Sequence, residues 1–342
     1  MNKGIAFAGN ILIDKIKMID VYPAGGMLCN IKSQKTGVGG CVPNTAINLS
    51  KLSGGKIKIF AIGRTGSDAS ADYVLKKLTE NNIDISGVIR QSDIDTSFTD
   101  VMTETKSGNR TFFHYRGAND EFAPQDIDFD KLSCDILHIG YALLLEKFDK
   151  KNLQYGTELA KALYNARQRG ILTSIDVVSE QSQRFKEVVS CSLKYCDYVT
   201  LNEIERSNVS GIPLRDSGGN IIENNLKAVC KWFISQGVSR QICIHFPEGC
   251  AALSSKGEYR QQPSLCLPKG YIKGTVGAGD AFCAGILYAA YNNLSLSDSL
   301  LTAVSSAACN LSSEDSISGM KEYIIASAMH KEYPLRKEIK LI

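Results

Sequence analysis

Short apolar runs of strand length alternate with longer amphipathic segments along most of the chain. Such runs, poor in charge, are typical of buried strands. Helical segments with an apolar stripe separate the later runs, and strands joined by helices indicate parallel β-α-β units. The runs that predict buried strands lie at residues 5–9, 57–63, 136–141, 171–176, 197–202 and 241–246.

Two parts of the N-terminal half do not follow this pattern. Residues 97–117 contain two β-rich runs around the turn residues KSGN, which predicts an antiparallel hairpin. The alternating, polar stretch from about 14 to 38 contains a half-exposed strand and a glycine turn. We therefore expect one domain over residues 1–342 with a separate small β flap inserted in it.

Helix signals complete the predicted architecture. Proline suits the first turn of a helix over 43–52, and Asp68 is placed to cap the next helix. A helix is also predicted over 221–236, after a loop at 210–220, and residues 278–331 are predicted to be nearly all helical. The predicted fold class is α/β: a three-layer, Rossmann-like, mostly parallel sheet with helices on both faces, plus the small β-sheet.

Composition narrows the class of protein. Of the 342 residues, 44% are hydrophobic and 22% are charged, which is ordinary for a globular protein with a full core. The net charge of +3, without a Lys/Arg-rich cluster, argues against a nucleic-acid partner. No apolar stretch reaches the roughly 18 residues that a membrane span needs, and no signal sequence is visible. We therefore expect a cytoplasmic protein without a membrane partner.

The cysteines and histidines are spread along the chain. The 11 cysteines form no C-x-x-C pair, and most stand in apolar surroundings, as Cys243 and Cys283 do. The 4 histidines form no cluster with ligand spacing. In a cytoplasmic protein, such cysteines behave as small hydrophobic residues. The sequence therefore predicts neither disulfides nor a metal site built from these residues.

The strongest signal for chemistry is the segment GTVGAGDAFCAGIL, which begins at Gly274. Gly277 and Gly279 precede a long apolar helix, so that main-chain N–H groups and the positive end of the helix dipole can face an anion. Asp280 in the first turn can accept the proton of an attacking hydroxyl group. A purely structural interpretation is also open, in which Asp280 caps the helix and the glycines permit close packing.

Four segments resemble signatures of the ribokinase-like (PfkB) family of carbohydrate kinases and occur in the family's order. The segment from Gly274 resembles the pattern D-T-x-G-A-G-D-x-F-x-A-G, except at its first position. VGGCVPNTAINLSKLSG (38–54) resembles the glycine-rich first signature, and LNEIE (201–205) resembles the N-x-x-E motif. GNILID (9–14) resembles the segment that holds substrate hydroxyls. The four segments are distributed over most of the length of the chain.

The resemblance implies an ATP-dependent phosphotransferase that acts on a hydroxyl of a small sugar of the ketohexose or pentose type. It implies an anion hole formed by Gly277, Ala278 and Gly279, with Asp280 as the general base. Phosphoryl transfer needs mainly positioning and charge stabilisation, so this small set is sufficient. The flap, about 14–38 and 97–117, resembles the family's β-sheet lid, which covers the sugar and offers an edge for a homodimer.

The resemblance also implies residues for the two substrates. On the acceptor side these are Asp14, Gly39, Gly40, Asn44, Arg116 and Asn119. On the side of ATP they are Asn202, Glu205, Thr275 and Gly249, with Glu205 holding Mg²⁺ through water. Other interpretations stay open: Asn202 and Glu205 fit a capping box at a helix start, and Arg116 fits an exposed arginine beside a turn.

Two positions depart from the family pattern. Gly274 replaces the aspartate that helps to build a monovalent-cation site in related kinases, so we expect little activation by K⁺. SIDVVSE (174–180) keeps Asp176 but lacks the Asn and Arg of a frequent D-x-N-x-R element, which disfavours ketodeoxygluconate as the acceptor. A nucleoside kinase and a ketodeoxygluconate kinase remain alternatives. A sugar-binding sensor on the same fold is the alternative outside the enzymes, and the intact Asp280 argues against it.

Overall fold

The computed structural model of the protein describes residues 3–178 and 184–336, without the side chains of 206–208. Within these residues the strands are β1 (Ile5–Gly9), β2 (Leu12–Ile19), β3 (Ile31–Gly39), β4 (Ile59–Thr65), β5 (Ile83–Arg90), β6 (Phe98–Glu104), β7 (Arg110–Tyr115), β8 (Ile136–Ala142), β9 (Lys151–Asn152), β10 (Gly156–Thr157), β11 (Leu172–Val177), β12 (Tyr198–Asn202), β13 (Gln241–Phe246), β14 (Gly249–Ser254) and β15 (Tyr259–Pro263). The helices are α1 (Cys41–Leu52), α2 (Ala69–Glu80), α3 (Glu146–Asp149), α4 (Glu158–Gln168), α5 (Phe185–Leu193), α6 (Glu203–Ser210), α7 (Glu223–Ser235), α8 (Ala278–Tyr291), α9 (Leu296–Leu311) and α10 (Tyr323–Glu332).

The central sheet is mostly parallel, as the sequence predicts. Its strand order is β15-β14-β13-β12-β11-β8-β1-β4-β5. The strands from β13 to β5 run parallel to one another, whereas β14 and β15 are antiparallel to their neighbours. Buried side chains of β1 alternate between two hydrophobic clusters: Ala6 and Ala8 face one, and Ile5 and Phe7 face the other. Helices therefore cover both faces, which confirms the three-layer α/β fold class.

A second sheet of four strands has the order β3-β2-β6-β7. In it β2 pairs antiparallel with β3 and parallel with β6, and β6 and β7 form the predicted hairpin. Its strands fall within the predicted flap segments 14–38 and 97–117 to within two residues. Below, this four-stranded sheet is called the small sheet.

Helix boundaries differ from the predicted ones for local reasons. Helix α1 begins at Cys41 rather than 43, because Gly40 with φ 87° serves as its N-cap. Asp68 caps α2 as predicted, its Oδ1 accepting from Ala71 N–H at 2.8 Å. The predicted helical stretch 278–331 is broken between α9 and α10, where serines bond main-chain groups instead of continuing a helix.

Three strands of the sheet were not among the predicted runs. They are β5 at one edge and the antiparallel pair β14 and β15 at the other. Two residues of the unusual segment 174–180, namely 179 and 180, lie outside the described residues. None of the described helices is both long and apolar enough to span a membrane.

Candidate active site

A cavity of about 880 Å³ lies between the carboxyl ends of the parallel strands and the small sheet. Ligands in open α/β sheets bind outside the carboxyl ends of the strands, so this is the expected place for a site. Its walls come from three parts of the chain: the small sheet, the strand ends and the loop before α8. Representative residues are Asp14, Arg110 and Phe112, then Tyr141, Asp176, Asn202 and His245, and then Thr275 to Asp280.

Asp280 lies on the wall of this cavity, in the first turn of α8, and is 8% exposed. Three side chains donate hydrogen bonds to its carboxylate. Asn44 Nδ2 donates to Oδ2 at 3.0 Å, and the Tyr141 hydroxyl donates to Oδ1 at 2.7 Å. Thr45 Oγ1 also donates to Oδ1, at 3.4 Å. The carboxylate is therefore held in one orientation from three different directions.

Burial sets the acidity of this carboxylate. It raises the pKa of Asp280 from 3.8 to about 7, and the nearby Asp176 adds to the rise. The hydrogen bonds from Tyr141 and Asn44 lower the pKa, but by less than burial raises it. A carboxylate with a pKa near 7 accepts a proton readily at neutral pH and is suited to general-base catalysis.

The loop before α8 forms an anion cradle. Gly277 is the N-cap of α8 with φ 74°, a left-handed conformation that favours glycine. A Cβ at Gly277 would lie 2.6 Å from Ser316 Cβ, so the position also has no room for a side chain. Ala278 and Gly279 then begin the helix and line the cavity. The first N–H groups of a helix lack intrahelical acceptors and carry the positive end of its dipole, so they can bind an anion here.

On the acceptor side, Asp14 points into the cavity from β2 and is 8% exposed. Burial raises the pKa of Asp14 to about 7, while the Arg110 guanidinium lowers it. A Cβ at Gly39 would lie 2.6 Å from Asp14 Oδ1, so Gly39 leaves the space that this carboxylate occupies. Gly40 lines the cavity next to it. The structure thus brings these three predicted residues together.

Asn44 also lines the cavity, but both ends of its amide are engaged inside the protein. Its Nδ2 donates to Asp280, and its Oδ1 accepts from Ser316 Oγ at 2.7 Å. Ser316 Oγ contacts Val38 O as well, at 3.1 Å. Asn44 is therefore placed to orient the carboxylate of Asp280.

Two predicted acceptor-side residues, Arg116 and Asn119, are not among the residues that line the cavity. Arg116 forms ion pairs with Asp120 at 3.5 Å and with Glu146 at 3.7 Å. Asn119 is fully buried, and its Oδ1 accepts from Ile11 N–H at 3.1 Å. These contacts account for both residues as supports of the loop that follows the small sheet.

Asn202 and Glu205 line the phosphate side of the cavity and form the capping box that the sequence allowed. Asn202 Oδ1 accepts from Glu205 N–H at 2.9 Å, and Glu205 Oε2 accepts from Asn202 N–H at 2.9 Å. Glu205 is 6% exposed. The buried carboxylate of Glu205 faces the cavity and is an oxygen ligand of the kind that Mg²⁺ prefers, including ligation through water. The capping role and the metal role do not exclude each other.

Of the remaining residues considered in the sequence, Thr275 lines the cavity, whereas Gly249 and Gly274 are packed against the main chain. Thr275 lines the cavity, and its hydroxyl contacts the guanidinium of Arg110 from the small sheet. Gly249 begins β14, where a Cβ would lie 2.4 Å from Gln262 O, so close strand packing explains the glycine. A Cβ at Gly274 would lie 2.9 Å from two main-chain oxygens, those of residues 313 and 314.

Several residues that line the cavity were not predicted as site residues, and three of them bear on its chemistry. Tyr141 donates to Asp280, and Arg110 connects the small sheet with the loop before α8. His245 stacks on Phe282 with ring centroids 4.8 Å apart, and burial lowers the pKa of His245 to about 4. Tyr141 and His245 each stand at the carboxyl end of a predicted parallel strand, which marks them as candidates, but the sequence does not show which strands are neighbours.

Comparison with known proteins agrees with this geometry. The sequence model of the pfkB family of carbohydrate kinases matches residues 7–322. The bifunctional ribokinase/ribose-5-phosphate isomerase A of Fructilactobacillus sanfranciscensis is 25% identical over 296 residues, which are 83% of this chain and 48% of that protein. The chain thus spans about half the length of this relative. The Arabidopsis thaliana protein named "Probable fructokinase-6, chloroplastic" is 25% identical over 290 residues, which are 82% of this chain and 69% of that protein.

Solved structures show the same fold at lower identity. The nucleoside kinase of Methanocaldococcus jannaschii has a TM-score of 0.76 at 17% identity, covering 96% of this chain and 98% of that one. Arabidopsis thaliana ribokinase, complexed with ribose and ATP, has a TM-score of 0.74 at 19% identity, covering 95% and 98%. An Escherichia coli structure in complex with ATP and Mg²⁺ has a TM-score of 0.76 at 16% identity, covering 97% and 100%. This chain belongs to the pfkB family of carbohydrate kinases.

Proposed function

We propose that the protein transfers the γ-phosphoryl group of ATP to a hydroxyl of a small sugar of the ketohexose or pentose type. The observation that carries the proposal is the position of Asp280. Its buried carboxylate, with a pKa of about 7, stands at the N-terminus of α8 beside the Gly277 cradle. A base next to an anion site is what transfer from a phosphate to a hydroxyl requires.

Each group has a distinct part in this reaction. Asp280 takes the proton of the acceptor hydroxyl as that oxygen attacks phosphorus. The N–H groups at Gly277, Ala278 and Gly279 stabilise the negative charge on the phosphoryl oxygens. Asn44 and Tyr141 hold the carboxylate in place through hydrogen bonds of 3.0 and 2.7 Å. Family membership and the shared cavity support these assignments.

The acceptor is proposed to lie under the small sheet. Asp14 would accept hydrogen bonds from sugar hydroxyls, and Gly39 and Gly40 would let the sugar approach the main chain. Arg116 and Asn119 would act indirectly. They would hold the loop that follows the small sheet in place and would not contact the sugar. The small sheet is proposed to act as the lid that excludes water from the transferring group.

ATP is proposed to lie on the side of Asn202, Glu205 and Thr275. Glu205 and the Asn202 amide would hold a hydrated Mg²⁺, which when bound neutralises charge on the phosphates. Gly249 would contribute through the packing of β14 rather than through a side chain. Gly274 supplies no carboxylate for a monovalent cation, so the proposal does not include activation by K⁺.

The decisive variant is Asp280→Asn, assayed by coupled ADP release over a panel of sugars and nucleosides. Loss of a general base lowers turnover by about 10² or more, whereas ATP affinity is expected to stay near that of the wild type. Asp197→Asn is the matched control. Asp197 is also buried, but it precedes β12 and so lies at the amino end of the strand, away from the cavity. Turnover of Asp280→Asn within tenfold of the wild type would reject this role of Asp280.

A nucleoside is the second candidate acceptor. The aromatic ring of Phe112 lines the cavity from the small sheet, where a base could stack on it. The likeness to a nucleoside kinase supports the same idea. If nucleosides are phosphorylated in the panel, Phe112→Ala is expected to raise their KM while leaving the KM of any sugar acceptor nearly unchanged.

A further inference from the structure

Three buried side chains of different chemistry meet behind Asp280. Cys41 is the first residue of α1, His138 lies in the middle of β8, and Asp176 lies near the end of β11. Their Sγ, ring nitrogen and carboxylate oxygen lie within 4.8 Å of one another. Cys41 and His138 are fully buried, and Asp176 is 7% exposed. This cluster could not be predicted from the sequence, because the three residues are far apart in the chain.

Two of the polar atoms that face one another in this cluster are not satisfied by hydrogen bonds. His138 Nε2 and Asp176 Oδ1 are 3.4 Å apart, and among the described residues neither atom has a hydrogen-bond partner. The other ring nitrogen, His138 Nδ1, lies 2.9 Å from Ser174 Oγ. That contact fixes the ring so that Nε2 points at Asp176, as an outer hydrogen bond does for histidines that bind metals.

The lack of a side chain at Gly140 lets two of the three groups approach each other. A Cβ at Gly140 would lie 1.9 Å from Asp176 Oδ1 and 2.7 Å from Cys41 Sγ. Any other residue at this position would therefore fill the space where the carboxylate and the sulfur approach each other. Asp176 also lines the cavity, so an ion has a way in from the site.

The separation of the nitrogen and oxygen ligands and the types of all three ligands fit a tetrahedral ion. Zinc bonds to nitrogen and oxygen are about 2.0–2.2 Å long, which places two such ligands of a tetrahedron roughly 3.3–3.5 Å apart. His138 Nε2 and Asp176 Oδ1 are separated by 3.4 Å. A thiolate with an imidazole favours zinc-class ions over Mg²⁺, which prefers oxygen ligands only.

We propose that Cys41, His138 and Asp176 form a binding site for a zinc-class divalent cation, separate from the Mg²⁺ position proposed at Glu205. The Cys41 thiol loses its proton to solvent as the metal–sulfur bond forms. The thiolate and the Asp176 carboxylate then balance the two positive charges. Bound metal ties the start of α1 to β8 and β11 and thereby stabilises the wall that carries Asp280.

The test uses the full chain, stripped of metal with a chelator and titrated with Zn²⁺ and, as a spectroscopic probe, Co²⁺. The wild type is expected to bind one ion per chain and to show the thiolate-to-cobalt charge-transfer band with tetrahedral d–d bands. Zn²⁺ at about 100 times its Kd is expected to lower the unfolded fraction about 100-fold by mass action. Excess Mg²⁺ is expected not to displace Co²⁺, so that the cobalt bands persist.

Variants assign the ion to the cluster. Cys41→Ser and His138→Gln are each expected to weaken Zn²⁺ binding by more than about 100-fold, and Ser174→Ala by about 10–100-fold. Cys266→Ser removes an exposed thiol, and Cys134→Ala removes a buried thiol outside the cluster, so both are expected to bind Zn²⁺ as the wild type does.

Two results would overturn the site. One is a wild-type protein that binds no Zn²⁺ at micromolar concentration, which would leave His138 and Asp176 as a polar pair only. The other is Zn²⁺ binding that survives Cys41→Ser and His138→Gln but is lost in Glu205→Gln, which would place the ion with the phosphates. Because the wild-type titration decides the first question, the test does not depend on the folding of any variant.

Discussion

Burial raises the pKa of Asp280. The raised pKa suits the carboxylate to act as a base, but it lowers the stability of the folded protein at high pH. With a pKa of about 7, the group is half protonated near neutral pH, and only the unprotonated form can act as the base. We expect kcat/KM, which reports the free enzyme, to fall at least tenfold per pH unit below about pH 7, where Asp14 titrates as well, and to level off above it. A profile of kcat/KM against pH checks this. An acid limb centred near pH 4 would mean that the free enzyme does not hold this raised pKa.

The same pKa predicts an effect on stability. Because the pKa of Asp280 in the folded protein lies above the usual 3.8, the folded state binds this proton more tightly than the unfolded state does. This contribution to stability is complete below about pH 4 and is lost as pH rises through about 7. Asp280→Asn is therefore expected to have a urea midpoint at pH 8 no lower than that of the wild type. Burial raises the pKa of Asp14 in the same direction. The stability of Asp280→Asn is therefore still expected to fall as pH rises through about 7, but by less than that of the wild type.

Asp14 and Asn44 both line the cavity, but their contacts differ, and so should their variants. Asp14→Ala is expected to raise the acceptor KM about ten- to a hundredfold, because a substrate hydroxyl loses a partner worth about 1–3 kcal/mol, while the KM for ATP changes little. Asn44→Ala removes a donor to Asp280 and is expected to lower kcat as well. Steady-state kinetics with each substrate varied separate the two. Equal rises in both KM values for Asp14→Ala would place it on the wrong side of the site.

At this scale, sequence reasoning found the residues that lie within motifs and missed those brought in by topology. Asp280, Gly277 and Asp14 stand in local patterns whose chemistry can be read directly. Tyr141 and Asp176 reach the site only because β8 and β11 are neighbours in the sheet. The sequence shows no pairing order, so it could not show that the two residues share a site with Asp280.

At the scale of elements, the start of α8 carries the most demanding backbone geometry of the site. Gly277→Ala would force a side chain into a left-handed conformation with φ 74° and into contact with Ser316 at 2.6 Å. The conformation alone costs about 1–2 kcal/mol, and the contact adds to it by displacing the cradle. We expect a clear fall in both turnover and thermal stability.

Gly257 provides the matched control. It lies in the turn between β14 and β15 with φ 87°, and a Cβ there meets nothing within 4 Å. Gly257→Ala is thus expected to cost stability similar to the conformational part alone and to leave turnover unchanged. If both variants kept full turnover, the N-terminus of α8 would not be the anion cradle.

The elements that the sequence predicted best have a continuous buried apolar run at their centre. Residues 5–9 and 241–246 form strands with the predicted limits, because residues 5–8 and 242–244 are such runs. Strand β5 was missed because its edge position leaves half of its residues exposed and its apolar pattern weak. Helix α1 began earlier than predicted because a positive φ at Gly40 has no signature beyond the glycine itself.

At the scale of the whole molecule, the small sheet has two different faces. Arg110, Phe112 and His114 line the cavity, so alternation along β7 directs Phe113 and Tyr115 to the opposite face. Phe113 is 54% exposed and Tyr115 is 42% exposed. Within the described part of the chain, β3 and β7 each have a strand neighbour on one side only. An exposed edge next to exposed aromatic rings is a surface suited to another copy of the same sheet.

We therefore expect a homodimer formed through the small sheets, and Phe113→Asp is expected to dissociate it. In a twofold interface each substitution acts twice, and burying one phenylalanine side chain is worth about 1.5–3 kcal/mol, so the loss is about 3–6 kcal/mol per dimer. Light scattering coupled to gel filtration measures the mass of each variant. Leu153→Asp is the control, because Leu153 is fully exposed between β9 and β10, outside the small sheet. A monomeric wild type at micromolar concentration, or a dimer that withstands Phe113→Asp, would show that these rings serve only the lid.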